Sequence, residues 1–328
     1  MATHRGIVQP GSTIRPPTTA DWLPKSTHAK VGLGLAAAGI MVAMVALIGA
    51  IIRASLIADD GSGDTTVLSL TAWTFGVATA GIGTVKLGIA LILWGVVRGL
   101  WIRIESTKVG LAKLVPNAEN KGDVASASAD NPYVKISVTE KPVPPYLLHR
   151  MAYAMWAPML LMGVMVVLAG LVFSFIEAAA GADGDTADFL TFSALAQGTE
   201  FLGEAFLLAG ISFLLGSILG SLRQGGGEVQ ESLGVVIKTP IMPATGKLFV
   251  VLMAMGLMLA MLQFVLYLIV AGIDDPDSIR AWFAWLGPLR EAALGIMLSG
   301  IVLALATIGT KVLPFQFWRI QELIRTGK

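Results

Sequence analysis

AWTFGVATAGIGTVKLGIALILWGVVRGLWIR, residues 72–103, decides how the chain is read. It is a long apolar run with one cation, Lys86, in its middle. A helix needs about 20 apolar residues to cross the hydrocarbon core of a bilayer, and this run exceeds that. Five more such runs lie at about Val31–Ile57, Met151–Phe175, Phe189–Leu222, Lys247–Ile273 and Ala281–Val312. The expected fold class is an all-α membrane protein of six transmembrane helices, paired as three αα-hairpins and followed by a C-terminal amphipathic surface helix.

The composition agrees. Of the 328 residues, 55% are hydrophobic and 14% charged, against about 25% charged in soluble domains. The short alternating segments of a spanning β-barrel are missing. Cysteine is absent, which excludes disulfides, thiolate metal sites and cysteine nucleophiles. The three histidines, His4, His28 and His149, all lie outside the apolar runs, so a haem held between two spans by a histidine pair is excluded. The first 30 residues are polar and proline-rich, unlike a signal peptide, and the first span is expected to direct insertion. GIGTVKLG (81–88) superficially looks like a phosphate loop, but it sits inside an apolar span with no preceding strand. No nucleophilic triad, nucleotide loop or zinc pattern occurs. The expectation is no enzyme, no cofactor, no metal and no nucleic-acid partner.

The chain divides into an N-terminal tail (1–29), a first hairpin (30–103), a loop (104–149), a second hairpin (150–222), a loop (223–246), a third hairpin (247–312) and a C-terminal interfacial helix (313–328). The middle of the long loop, PNAENKGDVASASADNP, has the composition of a disordered segment. The second loop reads as flexible at Gly225–Gly227. In the tail, Phe317, Ile320, Leu323 and Ile324 recur opposite Arg319, Glu322 and Arg325, as in a helix lying on a membrane surface. Most of the 23 Lys and Arg residues fall in the tails and the two loops, whereas the turns inside the hairpins carry Asp59, Asp60 and Asp64, then Asp183, Asp185 and Asp188, then Asp274, Asp275 and Asp277. The positive-inside rule then puts both termini in the cytoplasm, and the Ala-, Gly- and Val-rich composition suggests a bacterial inner membrane. The acidic turns do not match the spacing of a full calcium loop.

The second spans of the three hairpins align without gaps when Ala72, Ala194 and Ala284 are superposed. Small residues then coincide at Gly81, Gly203 and Ala293, at Gly88, Gly210 and Gly300, and at Gly95, Ser217 and Thr307. Positions seven apart lie along one helix face. Lipid supplies no hydrophobic drive for helix association, so small residues that let backbones approach mark the packing face. The hairpins are candidates for an internal triplicate. All three share one topology, unlike the inverted repeats of many secondary transporters.

Lys86 lies 12 residues before Arg98, about 18 Å from that end at the helical rise and so near mid-bilayer. A charge there is a functional-site hypothesis by default. Its candidate partners are Glu204 and Glu200. Arg290 and Glu291 stand at the equivalent level of the third hairpin, completing a candidate intramembrane charge cluster. Counted from Arg223, Glu204 comes out roughly 10 Å shallower than Lys86, and Glu200, Arg290 and Glu291 are expected at the watery interface. Methionines crowd the third span (Met151, Met155, Met159, Met162, Met165) and the fifth (Met253, Met255, Met258, Met261). Without cysteine or intramembrane histidine they read as core filling rather than as a copper path. Two functions remain. The first is an accessory or scaffolding subunit, packing in the bilayer against a protein partner or another copy of itself. The second is a channel or carrier using Lys86 with Glu204 and Glu200. The apparent scarcity of intramembrane polar groups favours the first.

Overall fold

The computed structural model describes residues 27–60, 64–114, 138–139 and 147–326. Most of the N-terminal tail and the low-complexity middle of the long loop lie outside them. The helices are α1 (Thr27–Asp60), α2 (Thr65–Leu114), α3 (Leu147–Asp183), α4 (Thr186–Ser232), α5 (Ala244–Val270), α6 (Pro276–Thr307) and α7 (Leu313–Thr326). A π-helical turn, Ile308–Val312, joins α6 to α7. Two short strands, β1 (Val138–Thr139) and β2 (Thr239–Pro240), pair antiparallel, with Val138 opposite Pro240. Among the described residues, six helices are long and apolar enough to cross a membrane.

The acidic turns cap the helices that follow them. Asp64 accepts the Thr66 amide at 2.8 Å. Asp185 accepts the amides of Ala187 and Asp188, and Asp275 accepts that of Ser278. A helix begins with four backbone donors that lack partners, and a carboxylate there satisfies one or two of them. Pro276 opens α6, where its missing N–H costs nothing. These bonds hold the Asp64 and Asp275 carboxyls below the ordinary aspartate range, through the Thr66 backbone amide and the Ser278 hydroxyl respectively.

The centre of the bundle is α4, not the helix built on residues 72–103. It is buried along most of its length, while each of the other spans turns a broad face outward. Those outward faces carry Ile40, Ile51, Leu161, Val172, Leu262 and Val302, as a lipid-facing surface requires. Met151, Met162, Met165, Met255, Met258 and Met261 are exposed on the same surface. The reading of the methionines as core filler therefore fails for these six; Met253, which packs against the main core, fits it.

The inward residues of α3 recur as Leu160, Gly163, Val167, Gly170, Ser174, Glu177 and Gly181. Those of α5 recur as Gly246, Phe249, Gly256, Ala260, Gln263, Tyr267 and Val270. The first set follows the alternating three- and four-residue steps of a close-packed helix seam, and the second does so apart from one step of seven, Phe249 to Gly256. The small residues sit where the helices touch. A Cβ on Gly88 would lie 2.5 Å from the Gly32 carbonyl oxygen, and one on Gly81 would lie 2.8 Å from the Ala43 nitrogen, so α1 and α2 are in backbone contact. Gly203 and Gly210 press on Val167 and Leu160 of α3 in the same way. Gly300 faces Met253 of α5, and the Thr307 hydroxyl bonds that of Thr245 at 2.7 Å. Ala293 and Ser217 are fully buried. Trp94 of α2 stacks on Trp156 of α3, with ring centroids 4.6 Å apart.

At the other end α4 runs on through Gly225–Gly227 to Ser232, where the composition reads as a flexible loop. Tertiary packing overrides the glycines' weak helix preference: Gly226 lies against Gln316, which also donates to the Leu222 carbonyl. α7 packs Leu323 and Ile320 on Val229 and Leu233. Phe317, assigned to its apolar face, is exposed, while Arg319, assigned to its polar face, is buried. Arg319 turns inward because its Nε donates to Gln230 at 2.8 Å and its Nη2 to the Val236 carbonyl at 2.6 Å. The side chains of Ile324 and Arg325 lie outside the described residues.

Candidate functional site

Three helices, one from each consecutive pair, bring charged groups to a single point. Lys86 Nζ of α2 lies 3.1 Å from Glu204 Oε1 of α4, and Arg290 Nη2 of α6 lies 3.2 Å from Glu204 Oε2. Each oxygen of one carboxylate thus takes a different cation. The Arg290 guanidinium also lies over the rings of Phe75 and Phe201, at 5.3 and 5.8 Å from their centroids. Those aromatic faces attract the cation and exclude lipid and water from it.

One helical turn nearer the acidic end, Glu200 is fully buried. Ser174 of α3 donates to its Oε1 at 3.0 Å, and the Thr79 hydroxyl of α2 lies beside the same carboxylate. Its Oε2 has no hydrogen-bond partner. Gly170 makes room for it, since a Cβ there would fall 2.9 Å from the Glu200 nitrogen. Farther out, Glu177 of α3 is buried beside the Ser193 hydroxyl of α4. Ser193 also accepts from Gln197, and Gln197 accepts from the Tyr267 hydroxyl of α5 at 3.3 Å. Gln263 of α5, one turn from Tyr267, donates to the Leu286 carbonyl. Ser193, Gln197, Glu200 and Glu204 form one face of α4, covering about 16 Å at the helical rise. A row of polar groups therefore leads from the acidic end of the bundle to Lys86.

The structure thus joins Lys86, Glu204 and Arg290 directly and puts Glu200 beside them. Glu291 points outward and is exposed. The expected watery setting is wrong for Glu200 and for Arg290, whose side chain is only 15% exposed. Glu177, Ser174, Thr79, Ser193, Gln197, Gln263 and Tyr267 were missed. A signal existed for Glu177: it stands seven residues after Gly170 and fourteen after Gly163, on the packing stripe of its own helix, where an exposed glutamate does not belong. The scarcity of intramembrane polar groups inferred from the sequence does not hold.

The cluster contains three carboxylates and two bases. Charge inside a bilayer is costly, at roughly 3 kcal/mol per group on insertion scales, and paired charges offset much of that. Three acids against two bases leave one carboxylate without a counter-charge. Such a set balances when one carboxyl carries a proton. Compared with known proteins, the chain matches no family model, no curated protein and no solved structure.

Proposed function

We propose that this multi-pass protein conducts protons across the bacterial inner membrane, as a channel or uncoupled carrier and not an enzyme, with both termini in the cytoplasm. Protons enter from the acidic end along Glu177, Ser193 and Gln197 and load at Glu200, beside the Lys86–Glu204–Arg290 triad. The observation that carries this reading is Glu200 itself, fully buried with Oε2 unpartnered in a cluster one base short of neutral. A purely structural pin needs the triad and has no use for two further buried carboxylates.

Equivalent contacts support a triplicated helix pair as the frame. Gly39, Gly163 and Gly256 of the first helices lie against Val85, Leu207 and Met297 of the second. Those three partners each stand thirteen residues after Ala72, Ala194 and Ala284. In this frame Glu200 and Arg290 occupy the same register, and Lys86 replaces Leu208 and Leu298. Repetition builds the bundle, and divergence at these few positions builds the site.

The test is proton uptake into liposomes holding the full chain, driven by an imposed potential. Glu200→Gln, which keeps shape and hydrogen bonding, is expected to slow uptake about a hundredfold, the scale of a positioned proton-transfer group. Glu291→Gln leaves it unchanged. Absence of uptake in the unmodified protein overturns the reading. It then favours the second one, an accessory subunit in which the triad locks three helix pairs together for a membrane partner or a second copy. That reading draws on the same ion pairs, which tie α2, α4 and α6 at one point, and is tested by co-purification of a partner at fixed ratio.

A further inference from the structure

At the basic end of the bundle, α3 and α5 diverge across α4 and leave a cleft of about 590 Å³, within the size range of small-ligand sites. Its floor is made of small residues, among them Ala152, Ala209, Gly216 and Gly220. Its walls are apolar: Phe213, Phe249, Val250 and Leu257. The rim is open, since Leu148, Val250 and Ala254 are exposed on the surface that the other spans turn to lipid. From Lys247 to Leu257 the α5 wall rises about 15 Å, the depth of one leaflet of hydrocarbon. Polar groups cluster at the mouth, where His149, Arg223, Gln224 and Lys247 line the cleft. No Asp or Glu is among the lining residues. Arg223 is held in place by its Nε, which donates to the Pro240 carbonyl at 2.6 Å. An apolar slot as deep as one leaflet, open to lipid and closed at headgroup level by cationic side chains, fits an amphiphile with an anionic head.

We infer that the α3–α4–α5 cleft is a binding site for an anionic phospholipid, its acyl chain against Phe213, Phe249 and Leu257 and its phosphate among His149, Arg223 and Lys247. Basic pockets between spans recognise lipid headgroups by charge, and the small-residue floor admits a chain where larger side chains would close the cleft. The site is independent of the Glu200 cluster, which lies toward the opposite end of α4.

The test is a lipid titration of the detergent-purified full chain by native mass spectrometry, with phosphatidylglycerol and phosphatidylcholine of identical acyl chains. The anionic lipid is expected to bind about fivefold or more tightly, the scale of one basic contact at a membrane surface. Lys247→Glu, at an exposed position, is expected to abolish that preference. Ala254→Trp, which fills the slot from its open rim, is expected to reduce binding of both lipids. Equal affinity for the two lipids overturns the inference, as does a preference untouched by Lys247→Glu. Displacement of phosphatidylglycerol by inorganic phosphate alone also overturns it, because the site then reads a free anion and not a lipid.

Discussion

Lys86 Nζ and Glu204 Oε1 meet at 3.1 Å, although counting from the ends of their spans separates them by about 10 Å in depth. Glu204 serves two cations at once, so the three members of the triad are not equivalent. Glu204→Leu leaves Lys86 and Arg290 buried together with no anion between them, and is expected to cost about 3–5 kcal/mol, the range for breaking a buried pair. Lys86→Leu leaves Glu204 paired with Arg290 and restores the residue type found at the equivalent positions 208 and 298. Its cost is expected to be clearly smaller. Thermal unfolding of both variants in one detergent checks the order, and equal losses would refute the shared-carboxylate account.

The sequence laid out the spans because an apolar run of sufficient length has few other fates, and it marked the packing faces because close approach demands small residues. It misplaced the charges for a definable reason. The depths of Lys86 and Glu204 rest on Arg98 and Arg223 marking one common plane, but α2 continues to Leu114 and α4 to Ser232, so neither arginine ends its helix and the two are not a shared reference. Glu177 was passed over in the same way, lying just beyond the apolar run while its helix continues to Asp183. Apolar runs report hydrophobicity, not helix ends, and a polar residue at a seam position is invisible to any average. The partners of Glu200 come from α2 and α3, a convergence that no spacing within one helix encodes.

The glycine contacts predict sharp position dependence within the α1–α2 pair. A Cβ on Gly88 meets the Gly32 carbonyl oxygen at 2.5 Å, whereas one on Gly34 meets nothing within 4 Å. Gly88→Val is expected to force α1 from α2 and cost about 1–3 kcal/mol, the usual range for overpacking. Gly34→Val is expected to cost far less, since its side chain enters open space. Comparing the two by thermal unfolding separates loss of close approach from any general effect of β-branching.

Acid sensitivity is expected at the caps. The Asp64 and Asp275 carboxyls are held below the ordinary aspartate value of 3.8 by their hydrogen bonds. A group with a depressed folded-state value contributes its stability above the unfolded value and loses it as pH falls through the lower folded one. Their contribution is therefore intact at pH 6 and lost below about pH 4. Asn caps a helix about as well as Asp but does not titrate in this range. The Asp64→Asn and Asp275→Asn double variant should match the parent at pH 6 and show a smaller loss of thermal stability at pH 3. An unchanged acid response would mean that other carboxylates govern it.

Arg319 offers a test of how α7 is held. Its Nε, Nη1 and Nη2 reach Gln230, Glu322 and the Val236 carbonyl in three directions. Lysine keeps the charge but presents a single point donor in place of the planar fork. Arg319→Lys therefore strands acceptors on Gln230 or Val236, at about 1–3 kcal/mol for each buried group left unsatisfied. Because these contacts join α7 to the end of α4 and not to the bundle interior, the loss should be local. Hydrogen exchange is expected to rise in residues 313–326 and 226–232 while the seam around Gly203 and Gly210 stays protected. Uniform acceleration along α4 would instead make the α7 clasp part of the global fold.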